Sequence, residues 1–169
     1  MKCLLKIKSG PISTNSAYYK RNNSFNEKTR AYRANFLHHL QNDYNKNQIA
    51  KIKSHFDPSK HCLKVVFTWY QPEDILFTKE GKISLRSMDV DNCLKIPTDL
   101  VFDKKYNDKW LSLRKGREQM LYREFPSLSN LDINDKFIIS TTSIKALSLD
   151  SEFHCTVEVQ ILPLPKRQG

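Results

Sequence analysis

Glycine is scarce: four residues in 169 (Gly10, Gly81, Gly116 and Gly169), no two of them close together. A Walker loop, a dinucleotide fingerprint or any other glycine-built phosphate cradle needs several clustered glycines, so no nucleotide cofactor is expected. Apolar runs are short as well. None approaches the roughly 18 residues of a membrane span, and no signal-peptide apolar core opens the chain. The expectation is a cytoplasmic protein with no membrane partner. Cysteine occurs four times (Cys3, Cys62, Cys93 and Cys155) without a C-x-x-C pair, which argues for idle buried thiols over structural zinc or a redox dithiol. Acidic residues are nearly missing from the first third. Residues 1–60 hold 12 Lys/Arg against three acids (Glu27, Asp43 and Asp57), whereas residues 61–169 hold 16 against 15. A basic block of this kind attracts polyanions, of which nucleic acid is the commonest soluble one.

What is present is one domain's worth of alternating and helical pattern. Residues 3–8 and 61–70 read as strands, the second with Leu63, Val65, Phe67 and Trp69 on one face. Ser24 and Glu27 match a capping box. Tyr32, Phe36, Leu40 and Tyr44 recur every four residues behind it, with Ile49, Ile52 and Phe56 continuing the helix to Pro58 and a break near Asn45. Residues 136–144 and 152–162 read as two further strands, the last alternating at Phe153, Cys155, Val157, Val159 and Ile161. The order β-α-β-α-β-β predicts an α/β (α+β) fold, a small mixed sheet packed with helices, over residues 1–162, with a loose basic tail at 163–169. Residues 104–128 form a charged segment with helical composition around 108–124. His38 and His39 lie mid-helix with no carboxylate beside them, which suits surface or partly packed histidines. Trp69 and Trp110 read as core or interface anchors.

The most informative stretch is R-S-M-D-V-D-N-C-L-K-I-P-T-D-L-V-F-D, residues 86–103. Asp89 and Asp91, two residues apart, leave an extended chain on the same face. Their mutual repulsion calls for a cation, a proton or bulk water, and a divalent metal with hard oxygen ligands such as Mg²⁺ is the usual catalytic solution. Lys95, one turn into a helix opened by Asp91-Asn92, reaches toward the same place. Acids inside a basic protein suit phosphodiester hydrolysis, with Lys and Arg holding the backbone while metal and carboxylates polarise one phosphate. On spacing alone, Asp91 as a helix N-cap with a solvated neighbour is the commoner arrangement and the favoured one.

The run D-V-D-N-C-L-K-I-P-T-D resembles the D-x-D-N-x-x-K-x-x-x-D signature of RusA-family Holliday junction resolvases. Asp89, Asp91, Asn92, Lys95 and Asp99 fall in register. P-I-S-T-N-S-A-Y-Y-K near the start and A-Y-R at residues 31–33 resemble the flanking segments. The resemblance implies a RusA-like fold and a homodimeric, Mg²⁺-dependent endonuclease, with Mn²⁺ as a substitute, that resolves four-way DNA junctions in a bacterial or phage-infected cell. Asp89, Asp91 and Asp135 would hold the metal and Lys95 would neutralise the phosphate or leaving oxygen. Asp99 has a weaker claim, as a supporting or structural residue. Lys20, Arg21, Arg30, Arg33 and Arg86 are candidate phosphate contacts, and Tyr18 and Tyr19 candidate stacking platforms for splayed bases.

Three features depart from the family pattern. Asp91 and Asp135 are 44 residues apart, so 104–128 looks like an insertion. Asn134 stands where the family's Asp-Asp pair has its first acid, leaving Asp132 as the alternative third carboxylate. Pro97 lies one turn into the expected helix, which starts late or bends there. Asp135 is favoured over Asp132 because it abuts a strand, whereas Asp132 lies in a Ser/Asn-rich loop. The alternatives are a DNA-binding protein without catalysis, and a nuclease for other branched DNA or for RNA.

Overall fold

The period-two apolar pattern builds one mixed sheet. The computed structural model describes residues 1–12, 27–85, 93–103, 117–125 and 128–165. Its strands are β1 (Lys2–Ile7), β2 (His61–Gln71), β3 (Ile138–Leu147) and β4 (His154–Pro163), in the spatial order β1-β4-β2-β3. β4 is antiparallel to both neighbours, with Val157 opposite Leu5 and Phe67; β3 is parallel to β2, with Ser143 opposite Phe67. A parallel pair cannot be joined by a tight turn. The long β2–β3 connection accordingly carries α3 (Glu73–Leu76), α4 (Lys95–Phe102) and α5 (Arg117–Glu124), and α1 (Glu27–Leu40) and α2 (Asp43–His55) lie between β1 and β2. This is the α+β arrangement expected.

Leu63, Val65, Phe67 and Trp69 of β2 and Cys155, Val157, Val159 and Ile161 of β4 are buried on one sheet face. They share a core with Phe36, Leu37, Leu40, Ile49 and Ile52 of α1 and α2, each large side chain contributing about 1.5–3 kcal/mol. Trp69 donates its ring N–H to Ser143 Oγ at 3.1 Å, tying β2 to β3. The opposite face, with Lys64, Thr68, Tyr70, Thr156 and Gln160, is only half-buried. Phe153 departs from the expected alternation: it precedes β4 and is 36% exposed. All four cysteines are free and buried. Pro163 belongs to β4 and the Leu164 N–H bonds the Lys60 carbonyl at 2.9 Å, so the tail is fixed at its start. Trp110 lies outside the described residues.

The helical stripe holds through Tyr32, Phe36 and Leu40 but not Tyr44, which is 43% exposed with the Lys6 ammonium 5.1 Å from its ring centre. The break comes earlier than expected, because Asn42 caps α2 by accepting the Asn45 N–H at 2.8 Å. Asn45 is buried and behaves as a peptide unit. Its Oδ1 accepts the Lys6 N–H at 2.9 Å and its Nδ2 donates to the Lys6 carbonyl at 2.8 Å, pinning the edge strand β1. Asn is a poor mid-helix residue but a good cap and local bonder, which explains both positions.

The described C-terminal part of the 104–128 segment is integral to the core. Leu121 of α5 is buried, and Phe125 and Leu128 pack against the core. The buried Gln41 donates to Ser129 O at 3.1 Å and accepts the Ser129 N–H at 2.7 Å. α5 also brings Glu124 to 3.7 Å from His38, so a carboxylate does stand beside the histidine pair, contrary to expectation. Burial, then His38 and Lys8, lower the pKa of His39.

Candidate functional site

The candidate site is assembled by α4 and the chain entering β3. The helix begins at Lys95, later than Asp91-Asn92 would open it. Pro97 falls in the first turn, where a missing N–H has no helical partner to lose. Thr98 bonds the Leu94 carbonyl through both its N–H (3.0 Å) and its hydroxyl (2.7 Å). Ile96, Leu100, Val101 and Phe102 bury the inner side. Lys95, Asp99 and Asp103 recur at every fourth position, the spacing of one helix face. Asp103 is the residue that sequence reading missed, although this four-residue recurrence was a signal for it.

The second wall is residues 131–135. The Leu131 N–H bonds Val101 O at 2.9 Å and the Ile133 N–H bonds Phe102 O at 3.2 Å, satisfying carbonyls at the end of α4. Leu131 and Ile133 are buried, which leaves Asp132 exposed between them in the left-handed region at φ 51°. The loop expected to be free is therefore pinned, and Asp132 is as firmly carried as Asp135. Nor does Asp135 abut a strand. It opens a 3₁₀ turn, Asp135–Phe137, capped by Asn134, whose side chain accepts the Lys136 N–H, and β3 starts only at Ile138. Phe137 anchors the turn edge-on against Phe56, ring centres 5.5 Å apart.

Between these walls lies a cavity of about 440 Å³ lined by Asp99, Asp103, Asp132 and Asp135 together with Thr98 and Asn134. Burial, reinforced by the charges of Asp103 and Asp135, pushes the Asp99 pKa up; Lys95, its ammonium 3.5 Å from Oδ2, acts against the rise. Carboxylate oxygens are the hard donors that magnesium or calcium takes, although among the described residues no three of these acids bring ligand atoms within 4.8 Å of one another. The structure thus lines one cavity with Asp135, Asp132 and Asp99, and sets the Lys95 ammonium beside Asp99. Asp89, Asp91, Arg86, Lys20, Arg21, Tyr18 and Tyr19 lie outside the described residues. Arg30 is half-buried on α1. Arg33 is 1% exposed, and a side chain that deep does not meet a phosphate backbone, so the contact expected of it is corrected to a structural role.

A second group stands in the connection from β3 to β4, which passes the end of β2. Asp150, Glu152 and His154 offer ligand atoms within 4.8 Å of one another and could hold a metal ion. Their bonding capacity is already engaged. Asp150 accepts from Ser148 Oγ at 2.7 Å and the Glu152 N–H at 3.1 Å and contacts His154 Nε2 at 2.7 Å, while Glu152 pairs with Lys8. The Ser148 hydroxyl, then His154 and the Glu152 N–H, hold the Asp150 pKa far below the usual carboxylate range.

No model of a known protein family and no curated protein matches the chain. Among the described residues, no helix is long and apolar enough to cross a membrane.

Proposed function

We propose that the chain is a Mg²⁺-dependent endonuclease that cuts branched DNA, four-way junctions foremost, in the manner of the RusA family its central motif resembles. The observation that carries this reading is the meeting of Lys95 and Asp99, from that motif, with Asp135 at one acidic cavity. Carboxylate oxygens suit a hard divalent ion, and the resemblance names Asp89, Asp91 and Asp135 as its holders, with Mn²⁺ as a substitute. Such an ion, when bound, supplies charge stabilisation and a more acidic water. Lys95 places a positive point charge at the cavity rim for the phosphate or leaving oxygen. The basic N-terminal third supplies the sequence-independent attraction to the DNA backbone. A homodimer supplies two such sites about one two-fold axis, as two symmetric cuts require.

The test is incubation of labelled four-way junction and linear duplex with the purified chain, with and without Mg²⁺. Paired cuts in the junction alone, only with the metal, are expected. Binding without cutting would favour the non-catalytic DNA-binding reading, and equal cutting of flaps, forks or RNA would keep the nuclease and change its substrate.

A further inference from the structure

We propose that Asp99 is a positioning residue that fixes the Lys95 ammonium at the rim of the acidic cavity, an inference that rests on the nuclease reading. What points to it is a charge arrangement that helix stability does not explain. Lys95 is the first residue of α4, where the helix dipole disfavours a cation. Asp99 follows four residues on, the less stabilising order for such a pair, since an acid preceding a lysine is the better one. Asp103 closes the helix as its C-cap, where the dipole disfavours an anion. Three charges in one short helix stand against local electrostatics, and such rules are broken where a site requires it.

The contact shows what the arrangement achieves. Lys95 Nζ lies 3.5 Å from Asp99 Oδ2, with the lysine side chain 66% exposed and the aspartate 21% exposed. An exposed lysine samples many rotamers, and a partner that is itself half-buried on a packed helix biases them toward the cavity it lines. The ammonium is a point charge on a flexible stem, so its use in a reaction depends on being held.

A double-mutant cycle on Mg²⁺-dependent junction cleavage in single turnover tests this, using Asp99→Asn, Lys95→Ala and the double variant. Asp99→Asn should slow cutting about 10- to 100-fold with junction affinity in metal-free buffer unchanged, and Asp99→Glu should restore most of the rate. In the Lys95→Ala background, Asp99→Asn should cost less than about 2-fold. An equal loss in both backgrounds, no loss at all, or a fall in affinity that accounts for the loss would overturn the inference and leave the nuclease intact. A wild-type chain that cuts no junction would overturn both.

Discussion

Two carboxylate groups flank β3, one before its first residue and one after its last, some 30 Å apart for a strand of this length. The group in the β3–β4 connection is closed on itself: the Ser148 hydroxyl and Glu152 N–H of the same loop, the His154 imidazole of β4 and the Lys8 ammonium just past β1 meet its oxygens, and the Asp150 pKa drops. The cavity group faces inward across about 440 Å³, and burial with neighbouring carboxylates drives the Asp99 pKa the other way. Closeness of ligand atoms alone would select the β3–β4 connection. The direction of the shift selects the cavity, because a buried acid that resists ionisation, as Asp99 does, gains from a cation, whereas acids already satisfied must lose partners to bind one.

The sharpest way to break that contrast is to neutralise one acid in each group. Asp135→Asn should lower Mg²⁺-dependent cleavage about 10³-fold, the scale of losing a group that acts mainly in the transition state. Asp150→Asn should leave cleavage within about 2-fold. Equal losses, measured as single-turnover rates on a four-way junction, would dissolve the distinction. A smaller effect sharpens it: Asp132→Asn should cost about 10-fold, since its pinned backbone keeps the carboxylate at the cavity as Asp135 is kept. An unaffected Asp132→Asn rate would restrict the metal's holders on this wall to Asp135.

Which parts of this were legible in the sequence follows from the range of the forces involved. Strand faces were, because alternation at Val65, Phe67, Val157 and Val159 is a local consequence of the pleat. Lys95 and Asp135 stood out through a motif and a strand signal, although the strand starts only at Ile138, beyond a 3₁₀ turn that no local pattern announced. The rigidity of Asp132 was not, because it comes from Leu131 and Ile133 bonding Val101 and Phe102, some thirty residues earlier. Arg33 was misread since charge along a chain carries no statement of depth. The contact between α5 and His38 was equally hidden, because it depends on where the long β2–β3 connection folds back.

Stability against acid separates the two groups at lower amplitude. The lowered Asp150 pKa means that its contribution is complete above the ordinary carboxylate range and is lost as pH falls through that range and below it. Hydrogen exchange at the Glu152 N–H, which bonds Asp150 Oδ1, should therefore quicken on acidification beyond the intrinsic pH dependence of exchange. Asp57, held to about 2 by the Ser59 hydroxyl and N–H and by Lys60, loses its contribution in the same direction, between about 4 and 2. Exchange at the Glu152 N–H that follows only the intrinsic pH dependence would mean that the acids of the β3–β4 connection are not what closes it.

The smallest effect falls on Asp99 and has the opposite sign. Its pKa is raised in the fold, so above that pKa the charged carboxylate costs stability, and the cost fades as pH falls through it. Asp99→Asn keeps the side-chain shape, removes the burial cost and the repulsion from Asp103 and Asp135, and gives up the Lys95 pair, which at a mostly exposed lysine is worth little. The variant should melt about 1–2 °C higher at neutral pH, the size of a few tenths of a kcal/mol in a chain this long, and the gain should shrink toward acid. A substitution that slows cutting while steadying the fold is the mark of a charge retained for function rather than for stability. A lower melting temperature at neutral pH would show that the Lys95 pair outweighs burial, and the cavity would then be a stabilised ion-pair site of the same kind as the β3–β4 connection.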